Sequence, residues 1–229
     1  MTAFKLLEVE HDHEFEELFR VFRTAFTEPG TAMWPLFTAD YRPDAALEEA
    51  ALKETIERFI SWHRSDPTSH WLKVIDEESG SVLGGGRWAL YKTGNPYDGH
   101  GEMEASWWPD GEPRQLATTL LNQFLATSAK HMNKPHAFLN ILFTHPEYRR
   151  QGVGSLIMNW GLERADELGL DTFIEATKEG KPCYESFGFK VVDENSFRSK
   201  AGDQSGEWKE IESKLLPFTW WSMIKHGKA

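Results

Sequence analysis

Cysteine is almost missing from this chain: Cys183 is the single one among 229 residues. No internal disulfide can form, and a reducing, cytoplasmic setting is expected. Long apolar runs are also missing, since nothing approaches the roughly 20 consecutive residues a membrane span requires. The opening Met1-Thr-Ala-Phe-Lys-Leu-Leu-Glu8 lacks the charged-then-apolar order of a secretory signal. Basic charge is sparse, with 25 Lys and Arg against 36 Asp and Glu and a net charge of −11. That balance disfavours nucleic acid, whose phosphates need clustered cations, and favours cationic partners. Metal-ligand spacing is absent too: His11-x-His13 is the one close histidine pair and has no further ligand set, so no metal is expected. What remains is 40% apolar and 13% aromatic, enough for a sizeable core in one domain spanning residues 1–229, as a monomer or homodimer without membrane attachment.

The basic residues that do occur include a local group, Arg149, Arg150, Lys178 and Lys181, and two of them lie in an unusual turn. His136-Ala-Phe-Leu-Asn-Ile-Leu-Phe-Thr144 is apolar enough for a buried strand, and Pro146 cannot extend a sheet ladder. After the turn, Val153, Leu156, Ile157, Trp160, Ala165 and Leu168 recur at helical spacing until Gly169-Leu170. A helix starting at Gly152 leaves its first N–H groups unpaired and carries about half a positive charge at that end, which favours an anion. Gly152 and Gly154 remove the side chains that would hold a phosphate away. Two rival phosphate motifs fail: Ile157 stands where a dinucleotide fold wants its third glycine or alanine, and a Walker Gly-Lys-Ser/Thr is missing.

Arg149-Arg-Gln-Gly152-Val-Gly154, preceded by Pro146-x-Tyr-Arg149, resembles the Arg/Gln-x-x-Gly-x-Gly/Ala signature of the GNAT superfamily of acyl-CoA-dependent N-acetyltransferases. Downstream, Phe173-Ile-Glu-Ala-Thr177 looks like that family's next strand and Tyr184-Glu-Ser-Phe-Gly188-Phe189 like its Tyr-x-x-x-Gly-Phe segment. The resemblance covers about residues 136–192. It implies an α/β fold with a mixed, mostly antiparallel sheet splayed at the 136–144 strand, helices on both faces, and acetyl-CoA as co-substrate. The pantetheine arm would lie along Leu142, Phe143 and Thr144. The pyrophosphate would meet Arg149, Arg150, Gln151, Gly152, Val153, Gly154 and Ser155. Thr177 stands where relatives often have Asn, so its contact to the coenzyme arm is open.

Elsewhere, periodicity predicts a strand over 4–10, a helix over 13–26, a loop over 27–42, a helix over 43–64 starting near Pro43 or Asp44, and a hairpin of Trp71–Ile75 with Val82–Tyr91. Residues 92–112, rich in Gly, Pro and Asp, read as an insertion before a helix carrying Leu116, Leu120 and Phe124. A short helix near 181–187 and strands at 189–192 and 218–224 complete the chain, the last two separated by about 20 polar residues.

By the resemblance, Tyr184 would protonate the departing thiolate, a role that suits a phenol of ordinary pKa about 10. The attacking amine needs a base, and Glu175, Glu102, Glu104 and His145 are the candidates. Trp34, Trp88, Trp107 and Trp108, with Glu104, fall in segments expected around the acceptor, where indoles could stack on a flat or cationic amine. Trp160, Trp220 and Trp221 read as structural, and Cys183 as a small buried hydrophobe. The favoured reaction is direct transfer of acetyl from acetyl-CoA to a small-molecule amine. A protein acetyltransferase, acting on lysine or an N-terminus, and a non-catalytic acyl-CoA-binding module indifferent to Tyr184→Phe are the rivals.

Overall fold

The computed structural model describes residues 3–28, 30–39, 45–99, 101–199 and 205–227. Within them lie strands β1 (Phe4–Glu8), β2 (Ser69–Asp76), β3 (Val82–Tyr91), β4 (His136–Thr144), β5 (Asp171–Ala176), β6 (Lys190–Ser196) and β7 (Thr219–Lys225). The helices are α1 (Glu14–Thr27), α2 (Met33–Thr38), α3 (Ala45–Ser65), α4 (Glu112–His131), α5 (Val153–Glu167), α6 (Lys181–Ser186) and α7 (Gly206–Leu215). The strands form one sheet in the order β1-β2-β3-β4-β5-β7-β6. Every neighbouring pair is antiparallel except β4 with β5, so the expected mixed, mostly antiparallel sheet is present.

The parallel pair also supplies the expected splay. β4 and β5 pair only from His136↔Asp171 to Leu139↔Ile174. Beyond that point Ile141–Thr144 keeps β3 on one side, while Glu175 and Ala176 keep β7 on the other. The register also shifts here: Arg87 faces Ile141 but Trp88 faces Leu139, leaving Asn140 as an extra residue. Such a bulge bends a strand and re-aims its side chains. The Arg87 guanidinium fixes it, donating to Asn140 Oδ1 at 3.2 Å, Asp66 Oδ2 at 2.8 Å and Ser69 Oγ at 2.8 Å.

Alternation along the central strands sorts the core into two faces. Leu139, Ile174 and Met223 pack with Ile157 and Met158 of α5 and with Tyr184 of α6. On the opposite face, Phe143 joins Phe19 and Phe22 of α1 and Phe59 of α3. Trp220 on that face joins Leu120 and Phe124 of α4 and Ile211 of α7.

Two expectations are corrected. The segment taken as a loop over 27–42 contains α2, which buries Trp34 and Leu36; the anticipated helix start at Pro43 or Asp44 lies outside the described residues. The strand expected over 189–192 is longer, running to Ser196 as β6, and the polar connection after it carries α7. Ser205 caps α7, its hydroxyl accepting from the Trp208 N–H at 3.1 Å. Trp208, Ile211 and Leu215 form the helix's buried stripe.

Candidate active site

A cleft of about 1920 Å³ follows the gap between β4 and β5. One end meets the start of α5. Leu142, Phe143 and Thr144 line it from β4, and Arg149, Arg150, Gly152, Val153, Gly154 and Ser155 line it from the turn and helix. Gly152 is the helix N-cap with φ 96°, a left-handed conformation that favours glycine, and a Cβ there would project into open space. The Ser155 and Leu156 N–H groups turn back onto the Gly152 carbonyl at 3.0 and 3.3 Å. The N–H groups just before them are left outside the helical ladder, which is where an anion is favoured.

The sequence-derived residues of this turn divide. Gln151 is exposed and donates to the Glu147 carbonyl at 2.8 Å, and it does not line the cleft. Arg149 lines the cleft while its Nη2 donates to the Ala25 carbonyl at 2.8 Å, tying the turn to the end of α1. Across the gap, Thr177 lines the cleft and accepts from the Gly180 N–H at 3.2 Å.

Tyr184 and Cys183 line the same stretch. Burial pushes the Tyr184 hydroxyl above its ordinary range, so it holds its proton at neutral pH. A Cβ on Gly180 would come within 2.9 Å of the tyrosine ring, so Gly180 lets the loop close over it. Burial likewise pushes the Cys183 thiol up, with Arg150 opposing it; such a thiol is a poor nucleophile.

Where the β4–β5 pairing ends, Asn140 and Glu175 stand on opposite walls. Glu175 shares a strand face with Phe173 and points towards α4, and three hydroxyls meet it, two from α4 and one from β7. Thr127 Oγ1 and Ser128 Oγ lie 2.7 and 3.2 Å from Oε1, and Ser222 Oγ lies 2.9 Å from Oε2. Burial raises the carboxyl to about 7; the hydroxyls pull the other way, and the Asp193 charge adds to the rise. A carboxyl balanced there can accept a proton at neutral pH. Of the other candidate bases, Glu102 lines the cleft. His145 does not, its Nδ1 lying 3.4 Å from the Glu147 N–H.

The expected tryptophan wall is corrected to Trp34, which lines the cleft and packs edge-on against Phe22 at 5.3 Å. Trp88 faces α5 instead, fully buried, its indole N–H donating to the Ile157 carbonyl at 3.0 Å. Trp107 and Trp108 both donate to the Leu36 carbonyl, at 3.1 and 2.9 Å, and fasten the insertion to α2. Glu104 is exposed, with Arg114 at 3.6 Å. The aromatic lining comes mainly from residues that the sequence had not assigned to the site: Phe59, Trp62, Tyr97, Phe124, Phe218 and Trp220, the last of which had read as structural. Among the described residues no group of three or more His, Cys, Asp or Glu could hold a metal, and no helix is long and apolar enough to cross a membrane.

The model of the acetyltransferase (GNAT) family matches residues 30–189. Solved structures similar to the whole chain include histone acetyltransferase HPA2 and related acetyltransferase of Corynebacterium glutamicum (18% identity, TM-score 0.58, 100% of this chain and 98% of that one). Ard1 of Thermoplasma volcanium is similar at 13% identity and TM-score 0.52, with 99% of each chain covered. Naa20 of Chaetomium thermophilum, in complex with a bisubstrate analogue, is similar at 15% identity and TM-score 0.50, with 97% and 86% covered. At these identities the likeness shows the fold alone. No curated protein matches the sequence.

Proposed function

The chain belongs to the GNAT acetyltransferase family and is an acetyl-CoA-dependent acyltransferase; on that premise we propose that it acetylates the amine of a small molecule directly, with Glu175 as base and Tyr184 as acid. The observation that carries this reading is the half-buried Glu175 carboxyl, held by three hydroxyls on the cleft wall where the β4–β5 pairing ends. In the proposed reaction the amine nitrogen attacks the thioester carbon and gives its proton to Glu175. The C–S bond then breaks, and the Tyr184 hydroxyl protonates the thiolate. A backbone N–H of β4 polarises the carbonyl oxygen as charge builds on it. The diphosphate rests on the N–H groups at the head of α5, with Arg149 and Arg150 contributing charge. Gln151, pointed elsewhere, drops out of direct contact.

A small acceptor is supported by the aromatic walls that Trp34, Phe59, Trp62 and Phe124 give the far end of the cleft, and a cationic one by the net charge of −11. One domain acting in a reducing cytoplasm, as monomer or homodimer, completes the proposal. A thiol-release screen with acetyl-CoA against small aromatic and aliphatic amines, and in parallel against lysine and N-terminal peptides, tests it. Turnover of small amines is expected. Turnover of peptides alone would reassign the acceptor, and tight acetyl-CoA binding without any turnover would make the chain a binding module.

A further inference from the structure

Two of the three hydroxyls around Glu175 are themselves held from behind, and we propose that Asn195 is a positioning residue that sets the affinity of Glu175 for its proton by fixing the Ser222 hydroxyl as a donor. This rests on the reading of Glu175 as the base. The sheet register places Ser222 directly between Glu175 on β5 and Asp193 on β6. Ser222 is fully buried, and its single proton has few places to go. Asn195 Nδ2 donates to Ser222 Oγ at 3.1 Å, and an arriving N–H occupies a lone pair, so the hydroxyl proton is left to point at Glu175 Oε2, 2.9 Å away. Thr127 is arranged alike. It receives the Trp220 indole N–H at 3.3 Å and offers its proton to the Phe124 carbonyl and Glu175 Oε1, both at 2.7 Å; the charged acceptor is the stronger one once Glu175 ionises.

The other titratable groups packed about this carboxyl are Tyr97, from the insertion, and Asp193. Asp193 is tied to α4 by Lys130 at 2.6 Å and His131 at 3.0 Å. Asn195 does not itself line the cleft, and its side-chain amide reaches the Glu175 carboxyl by way of Ser222. An amide in that place cannot relay a proton. It can only decide which way the hydroxyl points.

The test is a carboxyl-carbon NMR titration of the full chain labelled at glutamate, with the Glu175 signal assigned by its loss in Glu175→Gln. In wild type its midpoint is expected near 7. Asn195→Asp replaces a donor by a charged acceptor that claims the Ser222 proton, and should raise the midpoint by about one pH unit. Ser222→Ala removes the donor itself and should raise it similarly, which keeps the test intact if the first variant does not fold. Asp193→Asn removes a negative charge and should move the midpoint down. The acid limb of kcat/KM is expected to follow each shift. An unchanged midpoint in both Asn195→Asp and Ser222→Ala would overturn the positioning role. Shifted midpoints with an unmoved kinetic limb would leave the hydroxyl cradle standing but remove Glu175 as the base.

Discussion

The two ends of the cleft are built in opposite ways. At the α5 end the chemistry lies in the backbone of one continuous stretch, residues 142–155, where a strand stops, a glycine takes φ 96° and a helix begins. At the other end it lies in side chains from α1, α2, α3, α4, β5, β7 and the 92–111 insertion, brought together only by the completed fold. The first kind of site can be carried by a short motif, because neighbouring residues and local geometry suffice. The second depends on packing across more than a hundred residues. The α5 end, the proposed coenzyme site, should therefore respond to changes in backbone conformation and charge, and the other end, the proposed acceptor site, to changes in side-chain identity.

The sharpest separation is expected from Glu175→Gln. Losing the proposed base should lower kcat by about 10²–10⁴-fold while leaving the affinity for acetyl-CoA unchanged; a parallel loss of affinity in calorimetry would break the comparison. The same variant carries a stability signature. The folded-state carboxyl is raised from 4.5 to about 7, so its favourable contribution is present below pH 4.5 and is lost as pH rises through 7. Glutamine escapes that loss, and at pH 8 the variant should melt above wild type, with an upper bound of about 3 kcal/mol set by the shift. Wild-type turnover should fall as pH drops below 7, because protonated Glu175 cannot accept a proton.

At the coenzyme end, Gly152→Glu places a negative side chain in the open space before α5 and should weaken acetyl-CoA binding by about 10–100-fold, or 1.4–2.8 kcal/mol. Gly152→Asn separates conformation from charge, since asparagine tolerates the left-handed region, and should bind close to wild type. Equal weakening by both would mean that the turn's shape, and not an anion cradle, is what glycine supplies there.

The same division explains what could be read from sequence. The β4–turn–α5 unit was legible because strand, proline, glycines and helix follow one another with clear periods, and the splay followed from the resemblance that this unit carries. Glu175 was legible as a polar residue on an apolar strand, but its three hydroxyl partners were not: Thr127 and Ser128 precede it by nearly fifty residues, and Ser222 follows by as many. The α7 helix had a readable signal, Trp208, Ile211 and Leu215 at helical spacing, that the polar composition around it masked. The tryptophans misled because composition reports how many indoles there are and not which way each faces. Trp88 and Trp220 exchanged expected roles since alternation on β3 and β7 turns one towards α5 and the other towards α4.

That last point yields the smallest effect and the finest test of the acceptor end. Trp34 and Trp107 lie on elements that pack together, yet only Trp34 lines the cleft. Trp107 donates to the Leu36 carbonyl, meets Trp62 edge-on at 5.9 Å and carries the Arg58 guanidinium at 4.1 Å. Trp107→Phe keeps a ring for the cation and removes the N–H donor, a loss of about 1 kcal/mol, or a Tm lower by about 2–4 °C for a chain of this size. Its KM for the amine should not change. Trp34→Phe trims a wall of the cleft and should raise that KM severalfold with little change in kcat, as expected when contact is lost equally from ground and transition states. If Trp107→Phe also raised KM, the insertion would be shaping the acceptor end through α2, and the wall would extend beyond the residues that face it.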